Sequence, residues 1–112
     1  MDKITEILLN VKKIETIKSD DLLKKMLDKY VIFWIDSTSL YLRMKVMYYS
    51  FLSIKLGKID TVVFKNSKET FFAVPLIHGF GYKIVGELEH YWVDKMTTEE
   101  AVVITYGDKV RD

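Results

Sequence analysis

One uninterrupted stretch constrains the fold more than any other part of the 112-residue chain. Residues 36–57, DSTSLYLRMKVMYYSFLSIKLG, contain no proline and no internal glycine, and they are long enough for about five helical turns. The stretch opens with Asp36 and three hydroxyl side chains suited to capping a helix, and it ends at Gly57, a residue typical of helix C-termini. The pattern therefore predicts a long central helix.

This predicted helix is apolar around most of its circumference. On a helical wheel one stripe is small or polar, and it runs through Ser39, Arg43, Val46, Ser50, Ser53 and Gly57. Such a stripe either faces solvent and a ligand or lets another backbone approach closely. We expect recognition of a partner to use this stripe and the capped start of the helix.

Two shorter amphipathic helices are predicted before the central one. Apolar residues recur with a period of 3.6 from Ile4 to Ile17, which is typical of a helix with one buried face. A second helix is predicted after Ser19, the expected N-cap, because Asp20 and Asp21 suit the positive end of a helix. Residues 31–35, VIFWI, are either a buried strand or an irregular connector, and periodicity does not decide between the two.

A β-hairpin is predicted after the central helix. Residues 59–65 alternate in the manner of a strand, and the return strand, residues 69–74, ends at Pro75, which cannot continue a ladder. Asn66 and Ser67 lie between two lysines as a two-residue turn.

The C-terminal third of the chain is ambiguous. Residues 76–95 fit a helix or a strand, and Gly79, Gly81 and Gly86 favour a loop followed by a strand from about Tyr82. A short final helix is predicted from about residue 97 through Tyr106, although its AVVITY segment is equally prone to form a strand.

Composition indicates one folded domain, residues 1–112, with a core at 4–75 and a C-terminal extension at 76–112 that covers the core or makes a dimer. The chain is 49% hydrophobic, and the lack of cysteine excludes disulfides and favours an intracellular, cytoplasmic location. No apolar run approaches the roughly 20 residues of a membrane-spanning helix. The start of the chain is amphipathic and does not resemble a signal peptide.

The net charge of +1 conceals an uneven distribution. Residues 37–68 hold six basic residues against one acid, a balance of +5, whereas residues 76–112 hold four basic residues against seven acids, a balance of −3. A basic middle and an acidic end are expected when one face meets an anionic partner and another is turned away from it. The alternative is that both are ordinary solvated surface.

Three helices followed by a hairpin, with SLYLRMKVMYYSFLSIKLGKI leading into VVFKNSKETFFAV, resemble the winged helix-turn-helix regulators. Small members of this class are common in archaea and their viruses. The resemblance implies an α+β, winged helix-turn-helix-like fold with a mixed C-terminal segment. It also implies a transcriptional regulator that binds duplex DNA, as a homodimer, without a cofactor.

The resemblance assigns DNA contacts to two segments. The first turns of the central helix would approach the bases and the hairpin tip would act as a wing on the phosphate backbone. The assigned residues are Ser37, Thr38, Ser39, Tyr41, Arg43, Lys45, Lys65, Asn66, Ser67 and Lys68.

Two other function classes are considered. A protein-interaction or dimerisation module would explain the many aromatic residues, especially Tyr48, Tyr49, Phe71, Phe72, Tyr91 and Trp92. An enzyme is not expected, because His78 and His90 have no partners with metal-ligand or nucleophile–base spacing. The glycines of HGFGYKIVG lack the flanking strand and capped helix of a phosphate loop.

Overall fold

The chain folds mainly into β-strands that form two antiparallel sheets. The computed structural model describes residues 11–35, 41–47, 54–56, 59–66, 68–75 and 78–106. Within these ranges the elements are β1 (Val11–Lys18), α1 (Ser19–Met26), β2 (Tyr30–Trp34), β3 (Tyr41–Lys45), β4 (Ile54–Leu56), β5 (Ile59–Lys65), β6 (Phe71–Pro75), β7 (Phe80–Ile84), β8 (His90–Met96) and β9 (Glu100–Tyr106). Six strands form the larger sheet in the order β1-β9-β8-β7-β2-β3, and β4-β5-β6 form the smaller one.

The core lies between the two sheets and is built around phenylalanine rings. The ring of Phe33 on β2 lies 4.8 Å from those of Phe64 and Phe72, which belong to the smaller sheet. Phe80 on β7 meets Phe64 edge-on at 5.3 Å. Helix α1 adds its buried face, Leu22, Leu23 and Met26, to the same cluster. Because each large side chain contributes about 1.5–3 kcal/mol when buried, this layer holds the sheets together.

A second cluster lies on the opposite face of the larger sheet. In the strand register Gly81 lies between Trp34 and Trp92. The Trp34 indole covers the space that a side chain at Gly81 would need, and the Trp92 indole does the same at Gly79. His90 and Tyr106 pack beside them, with ring centroids 5.8 Å apart. The central strands are therefore covered on both faces, and this explains why β2 and β9 read as nearly continuous apolar runs.

The winged helix-turn-helix prediction is wrong, because β-structure dominates and the described residues contain one helix, not three. The predicted central helix is replaced by strands where it is described: β3 covers 41–45 and β4 covers 54–56. Apolar and basic residues alternate in the sequence LRMKV, which is the pattern of a strand with one buried face. As β3, this segment pairs with β2. The predicted caps at 36–39 lie outside the described residues.

The first predicted helix is a strand over its described part. Residues 11–18 form β1, and residues 1–10 lie outside the described residues. A register shift between Val11 and Lys13 places an extra residue in the strand. This bulge brings Val11 and Ile14, three residues apart, to the same face, so a strand imitates a helical period.

The prediction of a final helix is also wrong. Residues 100–106 form β9, which pairs with β1 on one side and β8 on the other. Four of its seven residues, Val102, Val103, Ile104 and Thr105, are β-branched and suit a strand packed on both faces.

Several predictions on shorter elements are confirmed. The second helix exists as α1 with Asp20 and Asp21 in its first turn, although its N-cap is Lys18, and Ser19 instead donates its hydroxyl to the Thr97 carbonyl at 2.7 Å. The hairpin of β5 and β6 is present, although its return strand covers Phe71–Pro75 and pairs the proline with Thr61, and a strand covers Tyr82. Residues 31–34, for which the sequence leaves both a strand and a connector open, form a strand.

Candidate nucleic-acid interface

The candidate interface is a cluster of one aromatic and two basic side chains on the outer strand pair of the larger sheet. Tyr30 is the first residue of β2 and lies opposite Lys45 on β3. Arg43 lies two residues before Lys45 on the same strand, opposite Ile32. The Arg43 guanidinium carbon is 5.5 Å from the centre of the Tyr30 ring, and the Lys45 ammonium is 5.9 Å from it. Both distances are within the range of cation–π attraction.

Tyr30 remains open to solvent despite these contacts. It is 53% exposed, and Arg43 is also exposed, whereas the next residues of β2, Val31 and Ile32, are buried. An exposed aromatic ring at the edge of a sheet offers an apolar surface for stacking, and the two cations beside it offer partners for an anion.

A tight turn after α1 positions the cluster. Asp28 adopts a positive φ of 62°, and its N–H donates to the Val46 carbonyl at 2.5 Å. The Val46 N–H returns a bond to the Lys29 carbonyl at 3.0 Å. These two bonds continue the β2–β3 ladder beyond Tyr30 and Lys45, and the buried Val46 side chain anchors it. The cluster is thus held by backbone pairing on a packed scaffold.

The chain segments that carry the cluster are basic. The described residues between 22 and 47 contain five basic residues, Lys24, Lys25, Lys29, Arg43 and Lys45, against one acid, Asp28, which is a balance of +4. The opposite end of α1 is acidic, with Asp20 and Asp21 in its first turn. There the Ser19 N–H donates to the carbonyl of Glu99 at 3.0 Å, so that the β8–β9 turn brings Glu99 and Glu100 to the same end.

The hairpin tip is a second basic aromatic site, but its charge is partly engaged. Lys65 lies 3.9 Å from the Glu69 carboxylate and 5.8 Å from the centre of the half-exposed Phe71 ring. Asn66 shapes the tip, because its side-chain oxygen accepts the N–H groups of Lys68 and Thr70 at 2.9 and 3.0 Å. Lys68 is exposed. The turn is longer than the predicted two residues, since Asn66 pairs with Thr70.

The structure places the sequence-predicted contact residues in two separate sheets. Arg43, Lys45 and the backbone of Tyr41 lie on β3 in the larger sheet, whereas Lys65, Asn66 and Lys68 lie at the hairpin of the smaller sheet. Ser37, Thr38, Ser39 and Ser67 lie outside the described residues. The helical stripe through Ser39 and Arg43 does not exist, because Arg43 is in a strand.

Sequence reasoning missed Tyr30, the centre of the cluster. By helical spacing Tyr30 follows Met26 on the apolar face of the second predicted helix, but that helix ends at Met26. The available signal was the strict alternation of LRMKV, which predicts Arg43 and Lys45 on one face of a strand. Pairing that strand with YVIFW would have placed Tyr30 beside them.

Three of the four described aromatic residues that suggest an interface in the sequence instead pack in the core. Trp92 is buried, and Phe72 and Tyr91 are partly buried against the core, while Phe71 alone among the described members of that set is exposed. Tyr48 and Tyr49 lie outside the described residues.

The described part of the chain holds no cluster of metal-ligating side chains. No group of three or more His, Asp or Glu side chains there is arranged to hold a metal ion. His78 is exposed, whereas His90 is buried with its ring 5.8 Å from that of Trp34.

None of the described helical segments is long and apolar enough to cross a lipid bilayer. Comparison with known proteins finds no matching family, no matching characterised protein and no matching solved structure.

Proposed function

We propose that this protein binds nucleic acid, and that it does so through the β2–β3 edge of the larger sheet. The observation that carries the proposal is the Tyr30 ring, half exposed and flanked by Arg43 and Lys45. Nucleic acid remains the proposed partner, as the sequence predicts, but a sheet surface replaces the recognition helix.

A single strand suits this surface better than a duplex. Stacking on Tyr30 requires a base whose face is free, as in single-stranded DNA or RNA, and the adjacent cations suit the phosphates on either side of that base. Helix α1 is a poor reader of a major groove, because its first turn is acidic and its apolar face, Leu22, Leu23 and Met26, is buried.

The first test measures binding of fluorescently labelled single-stranded oligonucleotides by anisotropy, with a duplex of the same sequence for comparison. Tyr30→Ala is expected to weaken single-strand binding by roughly tenfold, because stacking one base on an aromatic ring contributes about 1–3 kcal/mol. Tyr30→Phe preserves the ring and is expected to bind like the parent protein.

The ionic part of the proposal is tested by salt dependence. Arg43→Ala combined with Lys45→Ala should reduce the slope of log K against log salt by about 1.4, since each lost phosphate contact on a single strand contributes about 0.7. Lys18→Ala, which removes an exposed charge from the opposite edge strand β1, is the matched control and should change the slope little.

Two results would overturn the proposal. One is the absence of binding to any single strand at micromolar protein and low salt. The other is binding that survives all three substitutions, Tyr30→Ala, Arg43→Ala and Lys45→Ala, in a correctly folded protein. Tight duplex binding that is insensitive to Tyr30→Ala would instead favour the predicted duplex partner on another surface.

A further inference from the structure

The second edge of the larger sheet carries a surface with a different chemistry. Among the described residues β1 pairs only with β9, and it forms the edge opposite β3. Its Ile14 side chain is 63% exposed, while Lys12, Lys13 and Thr16 around it are exposed as well. Ile14 is therefore the exposed apolar residue of this edge strand, whose other apolar residues, Val11 and Ile17, are partly buried.

Edge strands are commonly protected from pairing by lysines, but the charges of β1 are of both signs. Lys13 and Glu15 flank Ile14, point to the same face of the strand, and form an ion pair with Nζ 3.3 Å from Oε2. Because the opposite charges of Lys13 and Glu15 lie one residue before and one residue after Ile14, the strand is complementary to an antiparallel copy of itself.

We propose that two copies of the chain associate through β1, as an antiparallel pair around a two-fold axis at Ile14. In this register Ile14 lies opposite Ile14 of the second copy, and Lys13 lies opposite Glu15 of the second copy. Directly opposite side chains in an antiparallel pair interact, and opposite charges there are stabilising. The interface is isologous, as in most homodimers.

Neighbouring registers are less favourable. A two-fold axis perpendicular to the sheet lies between the two strands and places one residue opposite its own copy, so each register is defined by that residue. An axis at Lys13 places two lysines opposite each other, and an axis at Glu15 places two glutamates opposite each other and Lys12 opposite Lys18. Like charges directly opposite are destabilising. The axis at Ile14 is the one that pairs unlike charges and also covers the exposed isoleucine.

Pairing through β1 would join the larger sheets of the two copies into one continuous sheet of twelve strands. The two β3 edges would then lie at its far ends, about 50 Å apart for strands spaced 4.7–4.9 Å. The nucleic-acid surface stays accessible in such a dimer. The dimer does not depend on the proposed function, and each can fail without the other.

Cysteine crosslinking tests the register directly, because the chain has no cysteine of its own. Ile14→Cys places two thiols opposite each other, with Cβ atoms about 4.5–5.5 Å apart, near the spacing of a disulfide. Mild oxidation is expected to give a covalent dimer on a non-reducing gel. Thr16→Cys is the matched control, since its two copies would be four residues out of register, about 14 Å along the strands, and should not crosslink.

Charge substitutions test the interaction in solution by sedimentation equilibrium. Ile14→Lys and Lys13→Glu are each expected to raise the dimer dissociation constant at least about tenfold, with the far-UV circular dichroism spectrum unchanged. Lys13→Glu combined with Glu15→Lys exchanges the two charges and should restore the dimer. A protein that is monomeric at all accessible concentrations would overturn the proposal. So would a dimer that is unaffected by Ile14→Lys, or equal crosslinking of the two cysteine variants.

Discussion

At the scale of single residues, Gly81 has the most sharply defined role. It lies in β7 between Trp34 on β2 and Trp92 on β8, and both neighbouring indoles are buried. A methyl group at Gly81 would overlap the indole of Trp34, and one at Gly79 would lie 2.6 Å from Cζ2 of Trp92. The glycines of the GFG segment therefore make room for two rigid rings on one face of the sheet.

Gly81→Ala is expected to destabilise the protein by about 1–3 kcal/mol or more, because a buried indole has little freedom to move. Urea unfolding followed by tryptophan fluorescence measures the change, and a shifted emission maximum in the folded state would report displacement of the buried indoles. Gly86→Ala is a useful comparison, since nothing lies near a methyl group there and only its φ of 93° opposes the substitution. Equal stability of Gly81→Ala and the parent protein would contradict the packing described here.

Residue-level properties were only partly predictable. Sequence reasoning treated Gly79, Gly81 and Gly86 as evidence against a helix, which is correct, but only Gly86 adopts a positive φ. The role of Gly81 depends on Trp34, which is 47 positions away in the sequence and becomes its neighbour through strand pairing. Local patterns do not contain that information.

At the scale of elements, the β5–β6 hairpin contains a local strain that can be removed. Its turn is closed by the Glu69 N–H bonding to the Asn66 carbonyl at 3.1 Å, and Glu69 has a φ of 60°. A residue with positive φ after such a turn is usually glycine, because a Cβ atom costs about 1–2 kcal/mol in this conformation.

Glu69→Gly is therefore expected to raise the free energy of unfolding by up to about 1 kcal/mol, after the greater entropy of glycine in the unfolded chain is subtracted. Loss of the 3.9 Å contact with Lys65 should matter little, because Glu69 is largely exposed. Glu69→Ala removes the same carboxylate but keeps the Cβ atom, so it should not stabilise the protein. Thermal or urea unfolding of both variants separates the backbone effect from the charge effect, and a stabilised Glu69→Ala would contradict it.

The elements that were predicted correctly are those defined by local signals. The β5–β6 hairpin has clear alternation and a turn at Asn66, and α1 has acids in its first turn and one apolar face. The elements predicted wrongly have signals that helix and strand share. The bulge in β1 gives it an apparent helical period, and β9 is covered on both faces, so its alternation is hidden.

At the scale of the whole molecule, buried tyrosines make stability depend on alkaline pH. Burial, with a smaller contribution from Tyr91, raises the pKa of the Tyr82 hydroxyl above its ordinary value of 10.0. Burial also raises the pKa of Tyr91, whose ring stacks on that of Tyr82 at 4.8 Å. The folded protein therefore holds these protons more tightly than the unfolded chain does.

The sign of the effect follows from that difference. Stabilisation from the neutral hydroxyls is complete below the unfolded pKa of about 10 and is lost as the pH rises above it. Urea unfolding at pH 8, 10 and 11 should show a steep fall in stability above pH 10, and Tyr82→Phe should make that fall shallower. Tyr91→Phe, at the more exposed partner, should have the smaller effect. An identical alkaline fall in Tyr82→Phe and the parent protein would exclude Tyr82 as the cause.

At this scale the sequence supports the proposed function only through its charge pattern. The basic middle of the sequence does include Arg43 and Lys45 of the candidate interface, and the acidic end includes Glu99 and Glu100. The surface that collects these charges depends on strand order, in which β3 is an edge and β7, β8 and β9 are interior. The resemblance to winged helix-turn-helix regulators failed because it rested on the order of elements, and two of the three helices are strands where they are described.

The pairing of β1 with β9 also governs how the chain can fold. Residues 11–18 lie beside residues 100–106, so the first described strand is held in place by the last. Closing such a long loop costs entropy before the contacts are gained, and sheets of this kind fold in milliseconds to seconds, not microseconds. During synthesis on the ribosome β1 cannot form its pairing with β9 until β9 has emerged, so its apolar side chains lack that packing while the residues between them are made.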